Sequence, residues 1–388
     1  MLNFRFETPT AILFGSGQLE NLAAEILKYS DRILLVYGGG SIKKTGLYDK
    51  ITGILNQNNI FFRELSGVQP NPRVTSVREG VKICREHQLG FILAAGGGST
   101  IDCSKHIAAS VKYEGDPWDL VIKRISIPEP IPIGTILTLA ATGSEMNAGA
   151  VISNDETREK LPYRDDRLKP RFSILDPVLT YSVNRKYTAA GVADIMSHIF
   201  EQYFSEEKGT DISDRLAEAM LKVCITYGPV AIEEPENYTA RANLMWTSSL
   251  ALNGLIQMGK GWGDWATHII EHELSAFYDI THGEGLAIIT PFWMNYVLDE
   301  SNARKFAELG RNVWNISEEN DLEAARKTIR KVREFFQSIG LPVSLSEVGI
   351  HDEKLEEMSA NAVRFGGYTG TYKKLRKEDV LIILKTAL

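Results

Sequence analysis

Four of the chain's seven histidines fall between positions 198 and 282, and an aspartate stands at the head of that window. Asp194 and His198 are four residues apart, a spacing that on a helix puts both side chains on one face with Cβ atoms about 5–6 Å apart. His268, His272 and His282 follow in one short stretch. Imidazole nitrogens with a carboxylate suit a first-row divalent ion such as Fe2+ or Zn2+, and ligand type does not separate these two. A single buried histidine is commonly satisfied by a backbone carbonyl. Four beside an aspartate, away from any charge run, form a candidate metal site. Cys84, Cys103 and Cys224 lie far from Asp194, which argues against a structural thiolate site and for a catalytic ion with an open position.

Two further stretches have the makings of phosphate sites. Gly38-Gly39-Gly40-Ser41 and Gly96-Gly97-Gly98-Ser99 each follow a short apolar run and precede a helical pattern. Such a turn lets backbone N–H groups and a helix N-terminus reach oxygens that a Cβ would hold off. Neither run has the Gly-Lys-Ser/Thr ending of a P-loop or the Gly-x-Gly-x-x-Gly spacing of the common dinucleotide fingerprint, and Gly15-Ser16-Gly17 fails with Glu20 in the third place.

The elements that must position these groups divide the chain. Apolar runs at 32–37, 60–65, 90–95 and 133–139 alternate with helical patterns at 16–30, 47–55 and 74–87. That alternation predicts βαβ units and a mostly parallel sheet covered on both faces. Residues 5–15 read as an edge strand or hairpin, and 151–160 as a hairpin with a polar tip at 154–157. Beyond Thr188 strand signals nearly vanish, and helices are predicted at 189–204, 211–227, 238–257, 265–277, 285–297, 302–313 and 321–340. The expectation is an α/β domain over 1–180 and an all-α domain over 181–388.

Composition narrows the partners. A chain of 388 residues is long enough for two cores. Its net charge of −7 and lack of any basic cluster argue against nucleic acid and anionic membranes. No run approaches about 18 apolar residues, and the start lacks a secretory pattern. Three cysteines at unrelated spacings are no disulfide framework, so the expected location is cytoplasmic. Small molecules and a second copy remain, and the strand signal near residue 10 suggests a homodimer through edge pairing.

Read in order, Gly96 to Asp102 with Lys105, Ala141-Thr142-Gly143-Ser144-Glu145, the 191–198 stretch, His268, and His282-Gly283 followed by Gly285-Leu286-Ala287 resemble the motifs of the iron-containing (group III) alcohol dehydrogenases. Tyr37 to Ser41 with Lys43 and Lys44, and Glu271-His272-Glu273-Leu274, are similar to the butanol dehydrogenase and broad-range aldehyde reductase branch. The resemblance covers nearly the whole chain. It implies a dehydroquinate-synthase-like fold, with an N-terminal α/β dinucleotide-binding domain, a C-terminal helical metal-binding domain, and the site in the cleft between.

By the same resemblance Asp194, His198, His268 and His282 hold the ion, while His272 faces nicotinamide and substrate, with an orienting role as the alternative. Gly38, Gly39, Gly40 and Ser41 match the turn at the adenosine ribose; Gly97, Gly98, Ser99 and Asp102 the pyrophosphate turn; Thr138, Thr142, Ser144 and Asn147 the nicotinamide half; and Lys160 a lysine at the nicotinamide ribose. Relatives that prefer NAD often carry an aspartate at the position of Gly39. Its absence, with Ser41, Lys43 and Lys44 nearby, leads to an expectation of NADP(H) in preference to NAD(H), with NAD(H) possible. The implied reaction is hydride transfer between NAD(P)H and short- to medium-chain aldehydes, with the ion as Lewis acid and His272 or water as the proton source. Trp262, Trp265, Phe277 and Tyr278 are candidates for an apolar substrate wall or for ordinary core. A polyol dehydrogenase, a dehydroquinate-synthase-type lyase and a non-redox metallohydrolase are the competing readings; the lyase lacks a basic cluster, and the hydrolase leaves the glycine turns unexplained.

Overall fold

Continuous apolar runs become interior strands. The computed structural model describes residues 1–123 and 125–388. Its strands are β1 (Ala11–Phe14), β2 (Arg32–Tyr37), β3 (Phe61–Leu65), β4 (Phe91–Gly96), β5 (Ile133–Leu137), β6 (Gly149–Asn154), β7 (Glu159–Arg164) and β8 (Phe172–Leu175). Six form one sheet in the order β1-β8-β5-β4-β2-β3, with every neighbouring pair parallel, while β6 and β7 pair antiparallel on their own. β4 is buried along its whole length, as a parallel strand covered on both faces must be. Alternation along β2 sends Leu34 and Val36 into one core cluster and Ile33, Leu35 and Tyr37 into another, so apolar side chains fill both faces.

The helices among these strands are α1 (Leu22–Ile26), α2 (Ser41–Lys44), α3 (Leu47–Gln57), α4 (Val74–Glu86), α5 (Gly98–Ser110) and α6 (Pro117–Ile122). After β8 come α7 (Arg185–Tyr203), α8 (Asp211–Glu233), α9 (Tyr238–Leu252), α10 (Ala266–Tyr278), α11 (His282–Val297), α12 (Ala303–Trp314), α13 (Asp321–Ser338), α14 (Leu355–Ala362) and α15 (Lys377–Thr386). Two compact units result. One comprises residues 7–183 with 235–249; the other comprises 1–6, 184–234 and 250–388. Residues 1–6 group with the helical unit and most of α9 with the sheet unit, where Met245 joins a cluster with Ile101, Leu137 and Leu175.

α7 is the central helix of its unit, buried on every side from Thr188 to Tyr203. It begins four residues before the expected start because the Asn184 side chain caps it, accepting from the Tyr187 amide. Helix α11 packs on it backbone to backbone: a Cβ on Gly283 would stand 2.0 Å from the Ala190 carbonyl oxygen. This close approach requires glycine. α11 also begins earlier than its apolar pattern suggests, so His282 occupies its first turn.

Of the two forms expected for residues 5–15, the edge strand is the one found: Ala11–Phe14 lies at the sheet edge and pairs in parallel with β8. β8 is itself a full sheet member, unrecognised because four residues between Pro170 and Pro177 make too short a run. α14 and α15 fall in the stretch expected to be helical, though the sequence pattern assigns them no bounds. No helix among the described residues is long and apolar enough to cross a membrane.

Candidate active site

Three helices of the second unit bring the candidate ligands together. Mid-helix on α7, Asp194 and His198 share one face, with Oδ1 and Nδ1 3.4 Å apart. From α10 and α11, His268 and His282 direct Nε2 toward the same Asp194 oxygen, at 3.9 and 3.8 Å. Donor atoms of Asp194, His268 and His282 all lie within 4.8 Å of one another. His198 is outside that set of three but stacks on His268, with ring centroids 4.7 Å apart. Asp194 Oδ1, His198 Nδ1 and His268 Nε2 are buried and make no hydrogen bond to any described residue. Unsatisfied polar atoms gathered around one carboxylate fit a bound cation.

The electrostatics agree. Burial works against the Asp194 charge, but the surrounding imidazoles outweigh it and hold the carboxyl down at about 2. Burial pushes His198 down to about 3, so it is neutral. For His268 burial is overcome by Asp194 and Glu201, which hold it up at about 9. Asp194 and Glu201 thus favour the charged form of His268, so a metal ion would compete with a proton there.

The opposite ring nitrogens are also engaged. Glu201, on α7, accepts from the His268 ring at Nδ1 (3.0 Å), from the His268 amide (3.0 Å) and from the Thr267 hydroxyl. On α10, Glu271 accepts from the Ser275 hydroxyl with one oxygen and meets His282 Nδ1 with the other. His272 lies beside His282, with ring centroids 5.7 Å apart. It also forms a possible ligand group with Glu271 and His282, but both Glu271 oxygens are already in use. Glu201 was not singled out from the sequence. Its signal was there: His198 and Glu201 are spaced as His268 and Glu271 are. Of the aromatic candidates, Trp265 packs edge-on against His268 at 5.2 Å, Trp262 is exposed, and Phe277 and Tyr278 are half-buried.

The glycine turns lie in the sheet unit, after β2 and β4. Gly40 holds φ at +100° at the start of α2, and Gly97 caps α5. A Cβ on Gly98 would stand 2.4 Å from the Thr142 side chain, so the turn and residue 142 are in direct contact. Ser144, Asn147 and Asp102 serve the scaffold. Lys105, fully buried, donates to Ser144 Oγ (2.9 Å), Asn147 Oδ1 (3.0 Å) and the Gly149 carbonyl (2.8 Å). Asp102 accepts from Ser144 Oγ at 2.6 Å and the Val151 amide at 2.9 Å. Thr138 is tied through its amide to the Gly96 carbonyl, and Lys160, buried on β7, lies close enough to favour the Asp102 charge. Next to the β2 turn, Lys43 sits over the Tyr37 and Tyr48 rings at 5.2 and 4.7 Å, and both tyrosine hydroxyls donate to Glu64.

Comparison with known proteins decides what these parts belong to. The model for "Iron-containing alcohol dehydrogenase" matches residues 9–177, and that for the C-terminal region of the Fe-containing alcohol dehydrogenase family matches 188–388. The chain belongs to the iron-containing alcohol dehydrogenases. This family member is 54% identical over 387 residues, 99% of both chains, to NADH-dependent butanol dehydrogenase A of Clostridium acetobutylicum. It is 42% identical over 353 residues, 90% of both chains, to the NADPH-dependent aldehyde reductase YqhD of Escherichia coli. The crystal structure of NADH-dependent butanol dehydrogenase A from Thermotoga maritima superposes with a TM-score of 0.96 at 38% identity, covering 99% of this chain and 98% of that one. The fold is dehydroquinate-synthase-like, α/β followed by helical. This alcohol dehydrogenase is therefore an oxidoreductase linked to NAD(P) and expected to work with a divalent metal ion.

Proposed function

We propose that the protein reduces short- to medium-chain aldehydes such as butanal, and oxidises the matching alcohols, with Asp194, His198, His268 and His282 as the metal ligands. The observation that carries this reading is the set of buried, unsatisfied ligand atoms around Asp194 Oδ1. When bound there, a divalent ion supplies Lewis acidity to a carbonyl or hydroxyl oxygen. The chain's own residues do the rest. Trp265, edge-on to His268, offers apolar surface beside the ligands. His272, buried next to His282, moves the proton to and from the substrate oxygen. In the sheet unit, Gly38, Gly39, Gly40 and Ser41 take the adenosine ribose and Gly97, Gly98 and Ser99 the pyrophosphate. Lys105 and Asp102 hold the 142–149 segment in the shape that Thr138, Thr142, Ser144, Asn147 and Lys160 need along the nicotinamide half.

We propose use of both coenzymes. The absent aspartate at Gly39 favours NADPH. Against it stand Glu64, whose negative charge lies beside Lys43 in the tyrosine cluster, and the NADH-dependent names of relatives at 54% and 52% identity. A homodimer through the β1 edge, where Phe14 is exposed, remains part of the proposal; a monomeric mass by light scattering would remove it. Cytoplasmic action fits three buried thiols, none in a disulfide. The reading is tested by kcat/KM for a series from ethanal to hexanal with each coenzyme. Glycerol or glyceraldehyde turned over better than butanol or butanal would overturn it in favour of a polyol dehydrogenase.

A further inference from the structure

Two buried carboxylates near the proposed ion are not among its ligands, and each is spent on one ligand histidine. Glu201 and Glu271 are 1% and 0% exposed. Glu201 stands one turn beyond His198 on α7 and reaches across to Nδ1 of His268 on α10 at 3.0 Å. Glu271 stands one turn beyond His268 on α10 and reaches across to Nδ1 of His282 on α11. The same spacing thus serves twice, each helix carrying a ligand histidine and, three residues on, the carboxylate that grips the histidine of the next helix. The neighbourhood is cut to fit. A Cβ on Gly285 would stand 2.7 Å from Glu271 Cγ, so the glycine three residues after His282 leaves the space that Glu271 occupies. Ser275 holds the other Glu271 oxygen, and Thr267 with the His268 amide fixes Glu201.

We propose that Glu201 and Glu271 are positioning residues for the metal, fixing Nδ1 of His268 and His282 so that both present Nε2 beside Asp194. The inference rests on the ligand set proposed above. A carboxylate on Nδ1 sets the tautomer and the ring angle and makes Nε2 a stronger donor. Among the described residues no carboxylate grips His198 in this way, so the ion's hold depends most on the two gripped histidines.

The test uses the full-length protein stripped of metal, then titrated with Zn2+ against a chromophoric chelator and, separately, loaded with Co2+ for its visible absorption. E201Q and E271Q keep shape and remove charge. Each is expected to weaken Zn2+ binding about 10- to 100-fold and to shift the Co2+ bands, while metal-free melting stays cooperative. Should a glutamine variant fail to melt cooperatively, E201D or E271D carries the same readouts, since the shorter side chain keeps the charge but withdraws from Nδ1. Wild-type affinity and an unchanged Co2+ spectrum in the folded variants would overturn the proposal, as would a lower metal-free melting temperature with unchanged Zn2+ affinity, the mark of a merely structural role. D194A and H268A separate the two levels: if these still bind Zn2+ as wild type does, the ligand set is wrong; if they lose it while E201Q and E271Q do not, only the positioning role is.

Discussion

Gly283→Ala is the smallest change that should disturb the ligand geometry without touching a ligand. The new Cβ would meet Ala190 at 2.0 Å from its carbonyl oxygen, 2.6 Å from its carbonyl carbon and 2.8 Å from its Cα. All three are backbone atoms of α7, so no rotamer change relieves the clash, and the helices must separate by roughly an ångström or more to restore ordinary contact. Overpacking of this kind costs about 1–3 kcal/mol, and a backbone obstacle places this case at the upper end. The consequence for the site is larger than that for the fold. His282 is the adjoining residue, and metal–donor distances tolerate only about 0.2 Å, so a shift of that size removes His282 as an effective ligand. Melting temperatures with and without Zn2+, together with metal content after dialysis, read out both effects. Gly228→Ala is the control: its Cβ would meet the Val192 side chain at 3.2 Å, and a side chain yields. It is expected to cost little, because alanine also favours the helix by about 1 kcal/mol. Wild-type melting and full metal content in Gly283→Ala would refute the claim that the α7–α11 backbone approach sets the site.

His106 on α5 bonds through Nε2 to the Pro117 carbonyl, and its buried Nδ1 has no partner among the described residues. Burial pushes it down to about 4 from an ordinary 6.5. The unfolded chain then takes the proton first, so stability is kept above pH 6.5 and falls as pH drops toward 4, by roughly 3 kcal/mol; urea melts of His106→Leu across that window should lose the slope. Lys105→Met strips three acceptors of their donor and leaves Asp102 short of a counter-charge, which should cost about 3–5 kcal/mol and raise coenzyme KM more than it lowers kcat. His272→Phe should lower kcat and flatten its pH profile; wild-type values for both would remove that residue from the proton path.

Periodicity made much of the architecture legible. The interior strands β2 and β4 are uninterrupted apolar runs, and their bounds fall within a residue of expectation. β8 escaped because its four residues become a strand only through pairing with β1 and β5, a tertiary fact that leaves no local pattern. In the helical unit, the four-residue spacing of Asp194 and His198 announced a shared face, whereas the early start of α11 at His282 depends on how α11 packs against α7. Residue types pointed to four histidines and Asp194 as a candidate group, and only the family resemblance set His272 apart from the proposed ligands. What holds the ligands was less visible: Glu201 reads as one more helical glutamate until α10 is laid across it. Likewise Asp102, Ser144 and Asn147 read as ligand contacts, and the structure adds their internal use, since the buried Lys105 ammonium has to be surrounded by acceptors.

The central claim is that a divalent ion held around Asp194 is required for hydride transfer between a nicotinamide coenzyme and an aldehyde. The most direct measurement follows NADH and NADPH oxidation with butanal by protein stripped of metal, then resupplied separately with Fe2+, Zn2+ and Mg2+, beside Asp194→Ala treated the same way. The account predicts loss of turnover on stripping, recovery with Fe2+ or Zn2+ but not with Mg2+, and no recovery in Asp194→Ala. Full turnover by protein shown to be metal-free, or recovery in Asp194→Ala equal to wild type, would contradict it.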